Sequence, residues 1–289
     1  MILFHDPSCA DYGSSMRPEQ PARVTRSAAH LRSAHPGWEW RQPRLAEEDE
    51  LLAAHTPALL ARLRHPPDID DDTPYFPGIL EHARRAVGAA LDAGEAALAG
   101  HKAFSLMRPP GHHCTGSQAM GFCYLNQVAV TALRVAAGGR RVAVWDFDAH
   151  HGNGTEAILN GRPAVFFASV HQYPGYPGTG TTSTDNCRNF PVAPHTPRDR
   201  HLAALADSWA AVRAFRPGLV LVSAGFDAYV GDPITAMTLE REDFAALGRW
   251  LRDAALPAAA VLEGGYSPDL PVLIDAFLSA WEGEPSPSA

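Results

Sequence analysis

Two short, β-branched apolar runs in this chain stop abruptly at acidic and histidine residues. Arg141–Asp146 leads into Trp145-Asp-Phe-Asp-Ala-His-His-Gly-Asn-Gly154, and Leu219–Ser223 leads into Ser223-Ala-Gly-Phe-Asp227. Runs of this length bounded by turn residues read as buried strands, so the polar groups stand at strand ends. Asp148 and His150 are two positions apart, and an extended backbone points both to one side. Asp227 can join them from a second strand end. Two carboxylates and one imidazole form a ligand set for a divalent metal with an open position, which hydrolytic metal chemistry requires.

The pattern recurs elsewhere. Arg108-Pro-Pro-Gly-His-His-Cys114 follows the short strand Ala103–Met107, and Glu263-Gly-Gly-Tyr266 follows Ala258–Leu262. Adjacent histidines in a breaker-rich loop suit proton transfer better than core packing. Two glycines let the backbone pass close to a ligand, and Tyr266 can then present its hydroxyl. An ordinary helix cap needs one polar side chain, whereas positions 146–151 carry Asp146, Asp148, His150 and His151. Asn153, between Gly152 and Gly154, suits a tight turn and a hydrogen bond to a neighbouring His. Gly231-Asp232-Pro233 closes a turn, with Asp232 as a turn residue.

Further strands are expected over Met1–His5, within Gly37–Leu45 and over Ala164–Val170. Helices are expected over Pro18–Ala34, Glu47–Ala54, Pro57–Arg64, Ile79–Ala99, Phe122–Ala137, Gly154–Asn160, Asp199–Phe215, Arg241–Ala254 and Pro268–Trp281. The segment Gln172–Arg198, rich in Gly, Pro, Thr and Asn, reads as irregular. Alternating strands and helices predict an α/β domain of three α/β/α layers around a mainly parallel sheet, with the polar clusters at its carboxyl edge. No linker or repeat interrupts 1–282, which reads as one domain, and the polar tail 283–289 reads as disordered.

A net charge of −8 with no Lys/Arg cluster gives no electrostatic footprint for nucleic acid. Cys9, Cys114, Cys123 and Cys187 form no Cys-x-x-Cys pair, so neither a zinc ribbon nor a disulfide framework is expected. No signal peptide or membrane-length apolar stretch is present in this sequence. A soluble, cytoplasmic protein is the expectation, with no membrane partner. Oligomeric state has no readable signal.

These segments together resemble the zinc-dependent histone deacetylase and acetylpolyamine amidohydrolase family. The resemblance is carried by Pro18-Glu-Gln-Pro21, Arg108-Pro-Pro-Gly-His-His113, Gly121-Phe-Cys-Tyr-Leu-Asn126, Asp146-Phe-Asp-Ala-His-His-Gly-Asn-Gly154, Pro177-Gly-Thr-Gly180, Ser223-Ala-Gly-Phe-Asp227 and Glu263-Gly-Gly-Tyr266. They run in family order over nearly the whole chain. The Arg-Pro-Pro-Gly start and Asn153 are similar to the class II and bacterial branch.

The resemblance implies an arginase/deacetylase fold and deacylation of an acetylated amine by metal-activated water. It implies Zn²⁺ on Asp148, His150 and Asp227, with His113 as general base and acid. His112 becomes an electrostatic partner backed by Asp146, Asn153 orients His113, and Tyr266 polarises the carbonyl. It implies a substrate tunnel with Gly121, Phe122 and Tyr176 in its wall, and structural K⁺ on Asp146, Asp148 and Ser169. Ile234, after the Gly-Asp-Pro turn, stands where polyamine deacylases of the family can carry an acidic gatekeeper, and an apolar residue cannot select a second ammonium. Asp72 matches a rim Asp that holds the substrate backbone, although Asp70 or Asp71 could take that place. The substrate is then an acyl-lysine peptide or a small acylated amine.

Two alternatives remain at this level. A ureohydrolase of the arginase type shares the fold but wants a second metal and a carboxylate where Gly152 stands. It also has no use for His112-His113 or Tyr266. A non-catalytic acyl-binding protein would keep the pocket without the chemistry, yet every catalytic position is filled.

Overall fold

The computed structural model describes residues 1–284. Eight strands form one sheet: β1 (Ile2–Phe4), β2 (Glu39–Arg41), β3 (Ala103–Ser105), β4 (Val142–Asp146), β5 (Val165–Gln172), β6 (Cys187–Val192), β7 (Leu219–Ala224) and β8 (Ala258–Leu262). Their order is β2-β1-β3-β8-β7-β4-β5-β6, and every pair is parallel. Nine helices accompany them among the described residues: α1 (Ala22–Ala34), α2 (Glu48–Leu51), α3 (Pro57–Arg62), α4 (Ile79–Leu98), α5 (Gln127–Ala137), α6 (Asn153–Leu159), α7 (Arg198–Ala214), α8 (Arg241–Ala254) and α9 (Leu270–Glu282).

The central strands β4, β7 and β8 are apolar along their length because helices cover both faces. Helices α1, α8 and α9 pack together, and α7 joins them over β4 and β5 through Trp209 against Trp145. Helices α4, α5 and α6 form the other layer. This is the expected three-layer α/β/α arrangement. No helix among the described residues is long and apolar enough to cross a membrane.

Element boundaries shift where local chemistry competes with periodicity. The helix expected from Phe122 starts at Gln127, because Asn126 caps it by accepting the Ala129 N–H at 2.9 Å. Phe122 itself sits at φ 66 in a turn. The helix expected from Pro18 starts at Ala22, since Glu19 leaves the helical path to meet Arg108. The irregular segment contains an unforeseen strand, β6. Its Arg188, Asn189 and Pro191 lack an apolar pattern, and a Pro is tolerated there because β6 is an edge strand. In the expected disordered tail, Gly283 ends α9 at φ 94 and Glu284 bonds His35 at 3.1 Å, while 285–289 lie outside the described residues.

Candidate metal centre and substrate cavity

The sheet order makes β8, β7 and β4 neighbours, so the segments that follow them meet at one carboxyl edge. Asp148 and Asp227 are fully buried there, with His150 between them. Their outer oxygens are tied to the backbone. Asp148 Oδ2 accepts the Gly264 N–H at 2.7 Å, and Asp227 Oδ1 accepts the Ala149 N–H at 2.8 Å. The inner oxygens face His150 Nδ1 at 3.1 and 2.9 Å. These three donors lie within 4.8 Å of one another. Zinc bonded at about 2.0–2.2 Å separates tetrahedral ligands by roughly 3.3 Å, so the donor set and spacing fit such an ion. Two buried carboxylates sharing one imidazole also leave negative charge that a divalent cation would offset. Burial together with the Asp148 carboxylate raises the Asp227 pKa.

Beside this triad, His113 Nδ1 lies 2.8 Å from Asn153 Oδ1, while Asn153 Nδ2 points to Met120. A carboxamide oxygen only accepts, so Nδ1 carries the proton and Nε2 presents its lone pair. Burial, with His112 and His150 nearby, pushes the His113 pKa well down and keeps the ring neutral. His112 is opposite in character. Burial opposes its charge, but Asp148 and Asp146 prevail and raise its pKa to about 10. Asp146 Oδ2 accepts from His112 Nδ1 at 3.0 Å.

Asp146 also stands opposite Ser169 in the β4–β5 register. His171 Nε2 donates to the Gly180 carbonyl at 3.0 Å, so its Nδ1 accepts. The Ser169 hydroxyl therefore donates to that Nδ1 at 2.9 Å, which frees its lone pairs for a cation. Gly152 has no space for a side chain, since a Cβ there would sit 2.2 Å from Asp146 Oδ2.

A cavity of about 280 Å³ opens onto the centre. It is lined by Arg17, Pro18, Asp72, His113, Gly121, Phe122, His150, Tyr176, Ile234 and Tyr266. The expected wall residues Gly121, Phe122 and Tyr176 are among them, as are Ile234 and Asp72. Of the three acidic candidates, Asp72 lines the cavity. Asp70 accepts the Asp72 N–H, and the Asp71 carbonyl is taken by Arg17. The Tyr176 ring meets His113 edge-on at 5.0 Å between centroids, and Phe122 meets Tyr266 at 5.8 Å. Burial raises the Tyr266 pKa well above its ordinary value, so the hydroxyl stays a donor.

Several supporting residues were not foreseen. Glu263, wholly buried, accepts the backbone N–H of Gly111 at 2.7 Å and of His112 at 3.2 Å, which moors the histidine loop to the end of β8. Burial raises its pKa to about 7. Arg108, fully buried, makes a two-pronged ion pair with Glu19. Arg23 binds the carbonyls of Gly265 and Glu263 and lies over the Tyr266 ring. Asp232, expected as a turn residue, also holds the Tyr266 backbone. The signal for Arg108 was available in its Pro-flanked loop, whereas the helix expected from Pro18 hid the role of Glu19.

Residues 17–280 match the family model described as histone deacetylase domain. The chain is 40% identical over 260 residues to a histone deacetylase-like amidohydrolase of Pseudomonas aeruginosa, covering 82% of this chain and 66% of that protein. It is 34% identical over 265 residues to an acetylpolyamine amidohydrolase of Mycoplana ramosa, covering 83% of this chain and 76% of that one. The crystal structure of an acetylpolyamine aminohydrolase from Burkholderia pseudomallei superposes with a TM-score of 0.89 at 26% identity, covering 97% of this chain and 98% of that one.

Proposed function

The chain belongs to the histone deacetylase family, and from that membership we propose that it is a zinc-dependent amidohydrolase deacylating an acylated amine. The substrate is an acyl-lysine in a peptide or a small acylated amine, and relatives named as amidohydrolases of acetylpolyamines support that class. One observation carries the reading: the triad Asp148, His150 and Asp227 adjoins a cavity lined by His113 and Tyr266. The activity rests in one catalytic domain over 1–282, supported by the single sheet and the extent of the family match. Four unpaired cysteines support a reducing, cytoplasmic setting.

Zinc held by the triad would supply Lewis acidity, making water nucleophilic near neutral pH and polarising the amide carbonyl. His113 takes the water proton at Nε2, with Nδ1 fixed by Asn153, and delivers it to the departing amine nitrogen. His112 stays cationic beside Asp146 and contributes positive charge next to His113. The Tyr266 hydroxyl donates to the carbonyl oxygen as negative charge gathers there. Phe122, Tyr176 and Gly121 wall the acyl-amine chain and exclude water. Potassium held by Asp146, Asp148 and Ser169 would brace the loop beneath. The ureohydrolase alternative is not favoured, because the place its further carboxylate needs is filled by Asp146 against Gly152.

The test is metal content with activity. We expect one zinc per chain and hydrolysis of a fluorogenic acetyl-lysine substrate, lost to a chelator and restored by zinc. Two transition-metal ions per chain would return the ureohydrolase reading. A zinc-loaded protein inert toward all acylated amines would leave only acyl binding.

A further inference from the structure

The cavity changes character along its depth. His113 is buried and His150 largely so at its floor, whereas Tyr176 and Ile234 are 40% and 38% exposed at its mouth. Pro18, Phe122, Tyr176 and Ile234 give an apolar passage suited to methylene groups. At the mouth stand two opposite charges, Arg17 and Asp72. Arg17 Nη1 donates to the Asp71 carbonyl at 2.6 Å, and that is the one hydrogen bond of its side chain among the described residues. The guanidinium is thereby held in place with its other donors unengaged. The Asp72 backbone N–H is used by Asp70, but its carboxylate accepts nothing among the described residues. The two charges also form no ion pair with each other there.

Building on the deacylase reading, we propose that this mouth recognises the α-carboxylate of its substrate. The substrate is an Nε-acyl-lysine with a free carboxylate, either as the amino acid or at the end of a peptide. Arg17 takes the carboxylate through its free guanidinium edge, the geometry in which Arg outperforms any other cation. Asp72, in the rim position that the family resemblance already implies, takes the α-nitrogen, as an ammonium or as an amide N–H. The cavity of about 280 Å³ sits near the lower bound of ligand pockets, roughly 300 Å³, in keeping with a compact substrate. A polyamine fits poorly, because its remote ammonium would meet Arg17 as well as Asp72, and Ile234 offers it nothing.

The experiment compares kcat/KM of the zinc-loaded protein for Nε-acetyl-lysine, its α-carboxamide, a peptide ending in acetyl-lysine and an acetylated spermidine. We expect the carboxylate to be favoured over the carboxamide by about tenfold, a typical worth for one charged contact. Arg17→Gln brings that ratio toward one, mainly through KM, and Arg17→Lys restores part of it. Matched melting temperatures for the variants separate this from misfolding. Preference for the free amino acid over the peptide assigns Asp72 an ammonium, and equal rates assign it an amide; both support the proposal. Equal use of carboxylate and carboxamide by the parent protein overturns it, as does a preference for acetylspermidine. Turnover of none of the four overturns the deacylase reading itself.

Discussion

Asp232 Oδ2 accepts the backbone N–H of Tyr266 at 2.8 Å, while its Oδ1 accepts that of Ile234 at 3.0 Å. One carboxylate thus sets both the proposed carbonyl donor and a residue of the cavity wall. Asn at 232 keeps a single acceptor oxygen and must release one of the two N–H groups. We expect Asp232→Asn to lower kcat by about tenfold with a smaller change in KM, as befits a donor misplaced rather than removed. Steady-state kinetics decide this, and a purely structural role would lower the melting temperature while leaving kcat of the folded fraction intact.

Removing the chemistry outright should cost more. Tyr266→Phe deletes one donor to the carbonyl oxygen, a change worth about 10²–10³ in kcat. His113→Ala removes the base and should nearly abolish turnover. Both proteins should remain folded by circular dichroism, and full kcat in Tyr266→Phe would end its assigned role.

Gly264 tests the proposed metal centre without replacing a ligand. A Cβ there would lie 2.2 Å from Asp227 Oδ2 and 2.5 Å from Asp148 Oδ2. Those are two buried carboxylates with nowhere to go. Gly264→Ala should therefore purify with most of its zinc missing, as read by elemental analysis. Retention of one zinc per chain would show that the carboxylates can shift and still bind.

Acid stability has a separate origin, in buried histidines outside the triad. His201 on α7 is buried with Nδ1 unpartnered, and burial, against a weaker pull from Asp243, lowers its pKa to about 4. The unfolded chain protonates this group near pH 6.5, before the folded one does. Its contribution is thus fully present above that pH and is lost as pH falls from about 6.5 to about 4, up to roughly 3 kcal/mol. His55 is lowered to about 4 by burial and acts in the same direction. His201→Leu should flatten the slope of melting temperature against pH across this window. An unchanged slope would assign acid loss to other groups.

The sheet and the clustering of Asp148, His150 and Asp227 were legible in the sequence for one shared reason. Parallel strands buried on both faces are nearly uninterrupted apolar runs, and a polar group ending such a run must sit at the sheet edge. Strand β6 escaped because an edge strand can be polar and carry Pro191. The roles of Glu263 and Asp232 escaped for a different reason. Each works by accepting backbone N–H groups of a distant loop, and a backbone donor leaves no mark on residue type. Arg17 was silent because its meaning depends on which acidic residue the fold sets beside it.

The strand order has one more consequence. Asp148 follows β4, Asp227 follows β7, and the N–H that orients Asp148 belongs to Gly264 after β8. None of these pairings is local in the chain. Zinc affinity should therefore be a late product of folding, arising when the last strand has joined the sheet. A nascent chain that stops short of Gly264 would hold its carboxylates without the group that aims them. In the proposed metalloenzyme, metal capture would thus report that β8 has docked beside β7.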